Sequence, residues 1–404
     1  MTTTAAPLTP KPPHVPADRV VDFDFYNLPE AADLHHAWKS LKAQTAAGIV
    51  WTPRNAGHWV LLDPDLLEPI FQDYATFSNR VLFVPKEAGM QYKFVPNVAD
   101  PPQHHAYRAL LNMVMSPKAL AGMEARIRAE AIRLIEEVRS KGECEFIDAY
   151  SRRLPVHIFL DMCDLPRADG PRLKFLVEQF TRPTGSMTID EATQGLYGYL
   201  QPFVDARRGG TGKDMISQLV NGTFEGRQLS NEECLSLSAQ VLMGGLDTVA
   251  NFLGFIMQFL ACNPAQRRTL AEHKELMRPA VEEFLRRFPV ATSARLTTRD
   301  TEVDGVLVRE GEVVVMPNLF YGLDERMHAD PMKVDFNRAS KRHMAFATGR
   351  HSCPGYFLAQ TETRVTLEEW MSRIPDFELK PDANVRYLGG VVATVTEVPL
   401  TWRV

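Results

Sequence analysis

The chain has 404 residues, of which 45% are hydrophobic and 24% charged, as in soluble globular proteins. A formal net charge of −5 argues against a general nucleic-acid binder. The five cysteines are scattered, without Cys-x-x-Cys or zinc-ligand spacing, and no run of about 20 apolar residues predicts a membrane span. We therefore expect a cytoplasmic protein.

The N-terminal residues 1–17 are rich in threonine, alanine and proline, which predicts a flexible lead ahead of one domain at 18–404. Trp59 to Leu62 is an apolar run of strand type, and a polar break follows it. Apolar residues then recur at helical spacing, which predicts helices around 104–114, 118–139, 150–163, 171–181, 190–207 and 231–262. Ser230 and Glu233 open the last of these with a capping-box pattern.

Beyond residue 297 the pattern changes to β-type alternation. Two hairpin turns are predicted, at Asp304-Gly305 and at Glu310-Gly311, and the tail from 387 to 402 is again strand-like. The sequence thus predicts a mainly α protein with small β-sheets (α+β) in a single domain.

Two consecutive glycines stand inside the apolar segment 231–262, followed by an acid and an alcohol. Gly244 and Gly245 each cost a helix roughly 1 kcal/mol relative to alanine, which favours a packing or functional reason for them. Asp247 and Thr248 form a hydroxyl–carboxylate pair suited to proton transfer. Taken alone, packing glycines and a threonine bonded back to its own helix are the plainer interpretation.

The segment 346–355, Phe-Ala-Thr-Gly-Arg-His-Ser-Cys-Pro-Gly, is the most informative. Cys353 precedes an amphipathic run, and a sulfur at a helix N-terminus is favoured as the iron-binding thiolate; Pro354 suits the first helical position. A lone cysteine is more often buried and structural. Phe346, Cys353 and Gly355 at this spacing, however, resemble the haem-ligand loop of the cytochrome P-450 monooxygenases, whose cysteine is the axial iron ligand.

The resemblance covers nearly the whole chain from about residue 20. It implies one triangular-prism P-450 domain that holds haem b between the oxygen-activating helix and the helix after the cysteine loop, with O2 as co-substrate. In the family's oxygen-activating helix, the residues matched by Asp247 and Thr248 supply protons for dioxygen cleavage. Lys174 and Arg182 match side chains that hold the acid in reserve.

Further positions match the family's haem supports. The implied cofactor-binding set is Cys353, His104, Arg108, Arg295, His351, Phe346, Gly244 and Gly355, in which the histidines and arginines serve the two propionates. Glu283 and Arg286, which alone read as an ordinary ion pair, match with Arg338 a brace behind the haem loop. Ser293 departs from the aspartate of close relatives. Pro354 cannot donate an N–H to the sulfur, which predicts an electron-rich thiolate.

Within the family, the chain most resembles the camphor-hydroxylating bacterial branch. The resemblance lies in the stretches 242–249, 283–288, 322–326, 370–377 and 181–188. Tyr92 matches the tyrosine that hydrogen-bonds the camphor carbonyl. Other implied pocket residues are Phe83, Phe94, Gln240, Met243, Ala291 and Val391. Because Gln240, Met243 and Ala291 reshape the pocket, camphor, 1,8-cineole, a related ketone and a norisoprenoid all stay open as substrates.

The electrons for such a reaction must come from a partner. The chain leaves no room for a flavin domain, and its cysteines form no iron–sulfur ligand set. The resemblance implies a [2Fe–2S] ferredoxin served by an NADH-dependent reductase, with Arg108 on the docking face. A haem-thiolate peroxygenase and a non-catalytic haem protein that binds a ligand are the alternatives; the pair Asp247 and Thr248 argues against both.

Overall fold

The computed structural model describes residues 8–28, 34–182 and 186–404, and most of its regular structure is helical. The α-helices are α1 (Leu34–Ala43), α2 (Pro64–Gln72), α3 (Lys86–Gly89), α4 (Gln103–Met115), α5 (Met123–Arg139), α6 (Arg153–Met162), α7 (Gly170–Thr181), α8 (Ile189–Arg207), α9 (Met215–Val220), α10 (Asn231–Gly245), α11 (Thr248–Cys262), α12 (Pro264–Glu272), α13 (Met277–Arg287), α14 (Leu319–Leu323) and α15 (Tyr356–Arg373). The prediction of a mainly α protein with small sheets is confirmed.

The strands are short and divide among several sheets. They are β1 (Ile49–Thr52), β2 (His58–Leu61), β3 (Phe77–Ser78), β4 (Glu143–Glu145), β5 (Thr223–Phe224), β6 (Arg227–Gln228), β7 (Thr292–Thr297), β8 (Thr301–Val303), β9 (Val306–Val308), β10 (Val313–Pro317), β11 (Phe377–Leu379), β12 (Tyr387–Leu388), β13 (Thr394–Val395) and β14 (Pro399–Trp402). The main sheet has the order β1-β2-β10-β7-β3, with β2 and β10 parallel. A second sheet has the order β11-β14-β4, and the remaining strands form two-stranded ribbons.

One of the two predicted hairpins is wrong. Asp304 and Gly305 both have positive φ (50° and 73°), as a tight two-residue turn requires, and they join the paired strands β8 and β9. Glu310 and Gly311 also lie in a turn, but strand β10 beyond it pairs with β7 and β2 instead of folding back on β9. The buried sequence of β10 explains the difference, because an apolar strand of this kind belongs inside a sheet.

Helix α10 begins with the predicted capping box. Ser230 Oγ accepts the Glu233 N–H at 3.2 Å, and the Glu233 carboxylate accepts the Ser230 N–H at 2.7 Å. Such a cap stabilises a helix start by about 1 kcal/mol. It fixes where the helix begins, and therefore which side chains face the interior four turns later.

The predicted helix 231–262 is divided in two at Leu246 and Asp247. By length and mean hydropathy (1.4) the whole segment Asn231–Cys262 would suit a membrane, but 72% of its most apolar window is buried inside the protein. The segment is therefore part of the protein core. The predicted helix at 118–139 likewise starts later, at Met123, because Gly122 adopts a left-handed φ of 85°.

The predicted N-terminal lead is partly packed. Residues 1–7 lie outside the described part of the chain. Thr9 N donates to Pro53 O at 2.9 Å, and Val15 is 1% exposed, so residues 8–17 belong to the folded body and not to a flexible lead. The composition of this segment predicted that the entropy lost on ordering would keep it flexible. Burial of Val15 offsets that loss.

Candidate active site

The cysteine loop is shaped by its own backbone. Ala347 and Gly349 have left-handed φ values (54° and 72°), and the Cys353 N–H donates to Phe346 O at 2.9 Å. Helix α15 starts at Tyr356, so Pro354 lies in the turn before it and is not the first helical residue. The sulfur therefore sits two residues ahead of the helix cap, held by the loop.

The sulfur faces one backbone donor and one cation. Burial raises the pKa of the Cys353 thiol, and it outweighs the Gly355 N–H and the charge of Arg108, which lower it. Proximity to a helix N-terminus alone would lower the pKa, but desolvation of the sulfur outweighs it. The Gly355 N–H thus favours the thiolate, which Pro354, without an N–H, cannot do. A bound metal ion would replace the thiol proton.

The two glycines of α10 have different roles. A Cβ on Gly245 would lie 2.1 Å from Cδ2 of Phe159, so this glycine allows close packing against α6. A Cβ on Gly244 would meet no described atom within 4 Å, and Gly244 is accessible although Leu242 and Met243 before it are buried. Of the two glycines, Gly244 therefore borders open space and Gly245 is a packing position.

The helix break follows directly. Thr248 Oγ1 donates to Gly244 O at 3.1 Å, and Asp247 leaves the helical region with φ −129° and ψ −43°. A back-bonding threonine after two glycines weakens the helical ladder and bends it at this point. Thr248 can therefore bond back to its own helix and also serve in proton transfer, because the same hydrogen bond leaves its hydroxyl beside the open space at Gly244.

Asp247 is fully buried and held by cations. Its carboxylate accepts hydrogen bonds from Arg182 Nη2 (2.8 Å), Lys174 Nζ (3.0 Å) and Thr181 Oγ1 (3.1 Å). Burial opposes ionisation, but Arg182 and Lys174 outweigh it and keep the pKa of Asp247 well below its usual value. Both predicted partners are in place. Thr181 is a third that the sequence pattern gave no reason to single out.

The predicted brace is assembled completely. Arg286 donates two hydrogen bonds of 2.8 Å to Glu283, and both side chains are 0% exposed. The same guanidinium reaches the carbonyls of Gly322, Pro331 and Lys333. Arg338 Nε adds a bond of 3.2 Å to Glu283. The network joins α13 to the segment that leads into the cysteine loop.

A group of basic side chains near the loop lacks carboxylate partners within the described residues. The His104 and His351 rings are in contact, with their centroids 4.0 Å apart and their planes tilted by 45°, and three of their four nitrogens are buried without a hydrogen-bond partner in that same part of the chain. Arg295 is 3% exposed and donates to the adjacent Ala294 O. Burial and the neighbouring charge of Arg108 lower the pKa of His104 to about 4, and burial lowers that of Arg295 to about 10.

The predicted substrate residues gather around Tyr92. Its ring contacts Phe83 (6.1 Å between centroids), Phe94 (4.9 Å) and Phe180 (5.7 Å). Its hydroxyl donates to Gln240 Oε1 at 2.6 Å. Phe94 is 0% exposed, so it packs behind Tyr92 and does not line open space as predicted. Phe180 was not predicted from the sequence, because it is one of the regularly spaced apolar residues of α7 and nothing distinguishes it from the others.

The other pocket residues lie on two neighbouring segments. Met243, on α10, is 8% exposed. Ala291 forms a bridge with Val392, and Val391 O accepts the Thr292 N–H at 2.9 Å. Ala291 and Val391 both keep partial accessibility, as wall residues of an internal cavity would. Arg182 Nη1 donates to Val392 O at 2.8 Å and so ties this wall to Asp247.

Comparison with known proteins decides the family. The cytochrome P-450 family model matches residues 186–386. The solved structure of CYP101J2 is 43% identical, with a TM-score of 0.92, over 98% of this chain and 100% of its own. That of CYP101C1 is 36% identical, with a TM-score of 0.90 and the same coverage. The chain belongs to the cytochrome P-450 family.

A further relative is the probable cytochrome P-450 127A1 of Sinorhizobium fredii, which is 29% identical over 97% of both chains. The similarity to two CYP101 structures confirms the predicted closeness to the camphor-hydroxylating branch. This P-450 is a monooxygenase, and its family uses haem b with O2.

The residues present fit a haem. Its two propionates would supply the anion that Arg295 lacks and the acceptors that His104 and His351 lack within the described chain. The open side of Gly244 would accept a flat macrocycle that an alanine there would crowd. A buried arginine without a counter-charge and buried imidazole nitrogens without hydrogen-bond partners are costly unless a ligand pairs them, so the cofactor explains this cluster.

Proposed function

We propose that this P-450 hydroxylates a C–H bond of a small bicyclic monoterpenoid with one oxygen, such as camphor or 1,8-cineole; a norisoprenoid is the second candidate. The observation that carries the proposal is the hydrogen-bonded pair of Tyr92 and Gln240 among aromatic and aliphatic side chains. Apolar burial at about 25 cal/mol per Å² supplies most of the affinity for a compact terpenoid. The polar pair orients it.

In this proposal the haem is held as the family resemblance implies. Cys353 would bind the haem iron, Phe346 and Gly355 would shape its loop, Gly244 would face the cofactor, and His104, Arg108, Arg295 and His351 would pair the propionates. When bound, the haem iron supplies the activation of dioxygen. The reaction takes two electrons from NADH and two protons, and leaves one oxygen atom in the alcohol and the other in water.

The protons are the task of Asp247 and Thr248. The Asp247 carboxylate is enclosed by Arg182 and Lys174, so one of these cations has to move away before the acid can carry a proton inwards. Thr248 is the hydroxyl nearest the open space at Gly244, and its bond to Gly244 O fixes its oxygen there. Positioned groups of this kind contribute about 10²- to 10⁴-fold to rate.

The electron donor in the proposal is a [2Fe–2S] ferredoxin, reduced by an NADH-dependent reductase in the cytoplasm. Arg108 supports this choice of donor. It is half-buried and lies close enough to Cys353 to lower the pKa of the thiol, so it is a cation on the cysteine side of the protein, where the ferredoxin is proposed to dock. Turnover with NADH, reductase and ferredoxin, assayed for each candidate terpenoid, tests the function. Turnover with hydrogen peroxide alone would instead favour a peroxygenase, and tight binding without turnover a ligand carrier.

Replacing Thr248 with Ala should uncouple NADH oxidation from product formation. Loss of one positioned hydrogen bond, about 1 kcal/mol, corresponds to roughly five-fold less product per NADH, with peroxide released in its place. Thr248→Ser keeps the hydroxyl and is the control, expected near the wild-type ratio. Product, NADH and peroxide are measured together. Full coupling in the alanine variant would contradict the role of Thr248.

A further inference from the structure

The hydroxyl proton of Tyr92 is already used within the protein. Tyr92 donates to Gln240 Oε1 at 2.6 Å. Both Tyr92 and Gln240 are more than nine-tenths buried. In this arrangement the tyrosine has no proton left for a ligand, and the next donor along the chain of hydrogen bonds is the Gln240 amide nitrogen.

The Gln240 amide nitrogen has no acceptor within the described part of the chain. Gln240 lies one helical turn before Gly244, so the two share a face of α10. That face borders the open space which a Cβ on Gly244 would enter without contact. Gln240 itself keeps 9% of its surface accessible.

We propose that Gln240 donates the hydrogen bond which holds the substrate oxygen, and that Tyr92 is a positioning residue that fixes the amide. This rests on the proposed function and narrows it. An amide whose oxygen is tied to Tyr92 presents only N–H groups, so it selects a neutral acceptor such as a ketone or an ether. It also places that oxygen beside the oxygen-activating helix rather than beside the 91–99 loop that carries Tyr92.

The hydrogen bond between the two side chains runs from the Tyr92 hydroxyl to Gln240 Oε1. A donor on the amide oxygen polarises the amide, which strengthens its N–H as a donor in a site with little water. A ligand of the same shape without an oxygen gains nothing from it and leaves the amide unpaired. Discrimination between an oxygenated terpenoid and its hydrocarbon is the expected consequence.

The test measures dissociation constants of the purified holoenzyme for camphor, 1,8-cineole and camphane, by the haem spin-state shift and by calorimetry. Gln240→Leu alone would free the Tyr92 hydroxyl, so the decisive comparison is made in the Tyr92→Phe background. Adding Gln240→Leu there should weaken the binding of camphor and cineole about five-fold and should not weaken that of camphane, which leaves the amide unpaired. Tyr92→Phe/Met243→Leu is the matched control, with no selective loss for the oxygenated ligands.

Tyr92→Phe alone should keep most of the affinity and broaden the product distribution, because the donor remains but its orientation is lost. Equal binding of camphor by Tyr92→Phe and by the double variant would overturn the role of Gln240 and return the contact to Tyr92. Failure of the wild-type enzyme to bind any of the three ligands would overturn the proposed substrate class, and the Gln240 contact with it.

Discussion

Replacing Asp247 with Asn should lower the rate of product formation by about a hundred-fold, with the substrate dissociation constant nearly unchanged. The amide keeps the size and the hydrogen bonds to Thr181 but cannot carry a proton. Asp247 is fully buried and is reached through Arg182 and Lys174, so water cannot easily replace it. Steady-state rates in light and heavy water, in which the variant should show a larger solvent isotope effect, are the measurement.

A matched control separates proton transfer from loss of charge. Glu178 pairs with the same two cations, at 2.7 Å from Lys174 and 3.5 Å from Arg182, but it is partly exposed. Glu178→Gln removes one carboxylate from the cluster and leaves the acid in place, so its rate should stay within a few-fold of the wild type. A rate loss in Glu178→Gln equal to that in Asp247→Asn would show that the cluster is structural.

Replacing Arg286 with Ala should cost about 3–5 kcal/mol of stability, the usual effect of breaking a buried ion pair. Glu283, which is 0% exposed, would remain charged without its main partner. Three backbone carbonyls would also lose the hydrogen bonds that Arg286 donates. Arg286→Lys should recover little, because an ammonium cannot reproduce the planar set of donors. Denaturant midpoints of the holoenzymes and their haem content report both effects.

Arg152 is the control for this prediction. It pairs with Asp148 on the surface, with both side chains substantially exposed, and Arg152→Ala should change stability by less than about 1 kcal/mol. Should Arg286→Ala unfold within about 1 kcal/mol of the wild type and retain its haem, the brace would have no structural role.

Local sequence was enough wherever a residue's task is set by its neighbours in the chain. The capping box at Ser230 and the tight turn at Asp304-Gly305 are of this kind. The brace at Glu283 and the acid cluster at Asp247 were anticipated from the family resemblance, and the structure brings together each residue named for them.

What failed depends on distant parts of the fold. The pairing of β10 with β7 and β2 overrides the turn at Glu310-Gly311, and packing against Phe159 explains Gly245. Burial by surrounding residues reverses the direction of the Cys353 pKa that its place near a helix start predicted. Periodicity along one chain segment carries no information on such contacts.

The most direct test is the absorption spectrum of the reduced enzyme under carbon monoxide, with wild-type protein, Cys353→Ser and Cys262→Ser compared. Cys262 is exposed at the end of α11 and serves as the matched cysteine. The red-shifted Soret band of thiolate ligation should appear in the wild type and in Cys262→Ser and be lost in Cys353→Ser. A folded, haem-loaded wild type without that band, or a Cys353→Ser variant that keeps it, would contradict thiolate binding by Cys353.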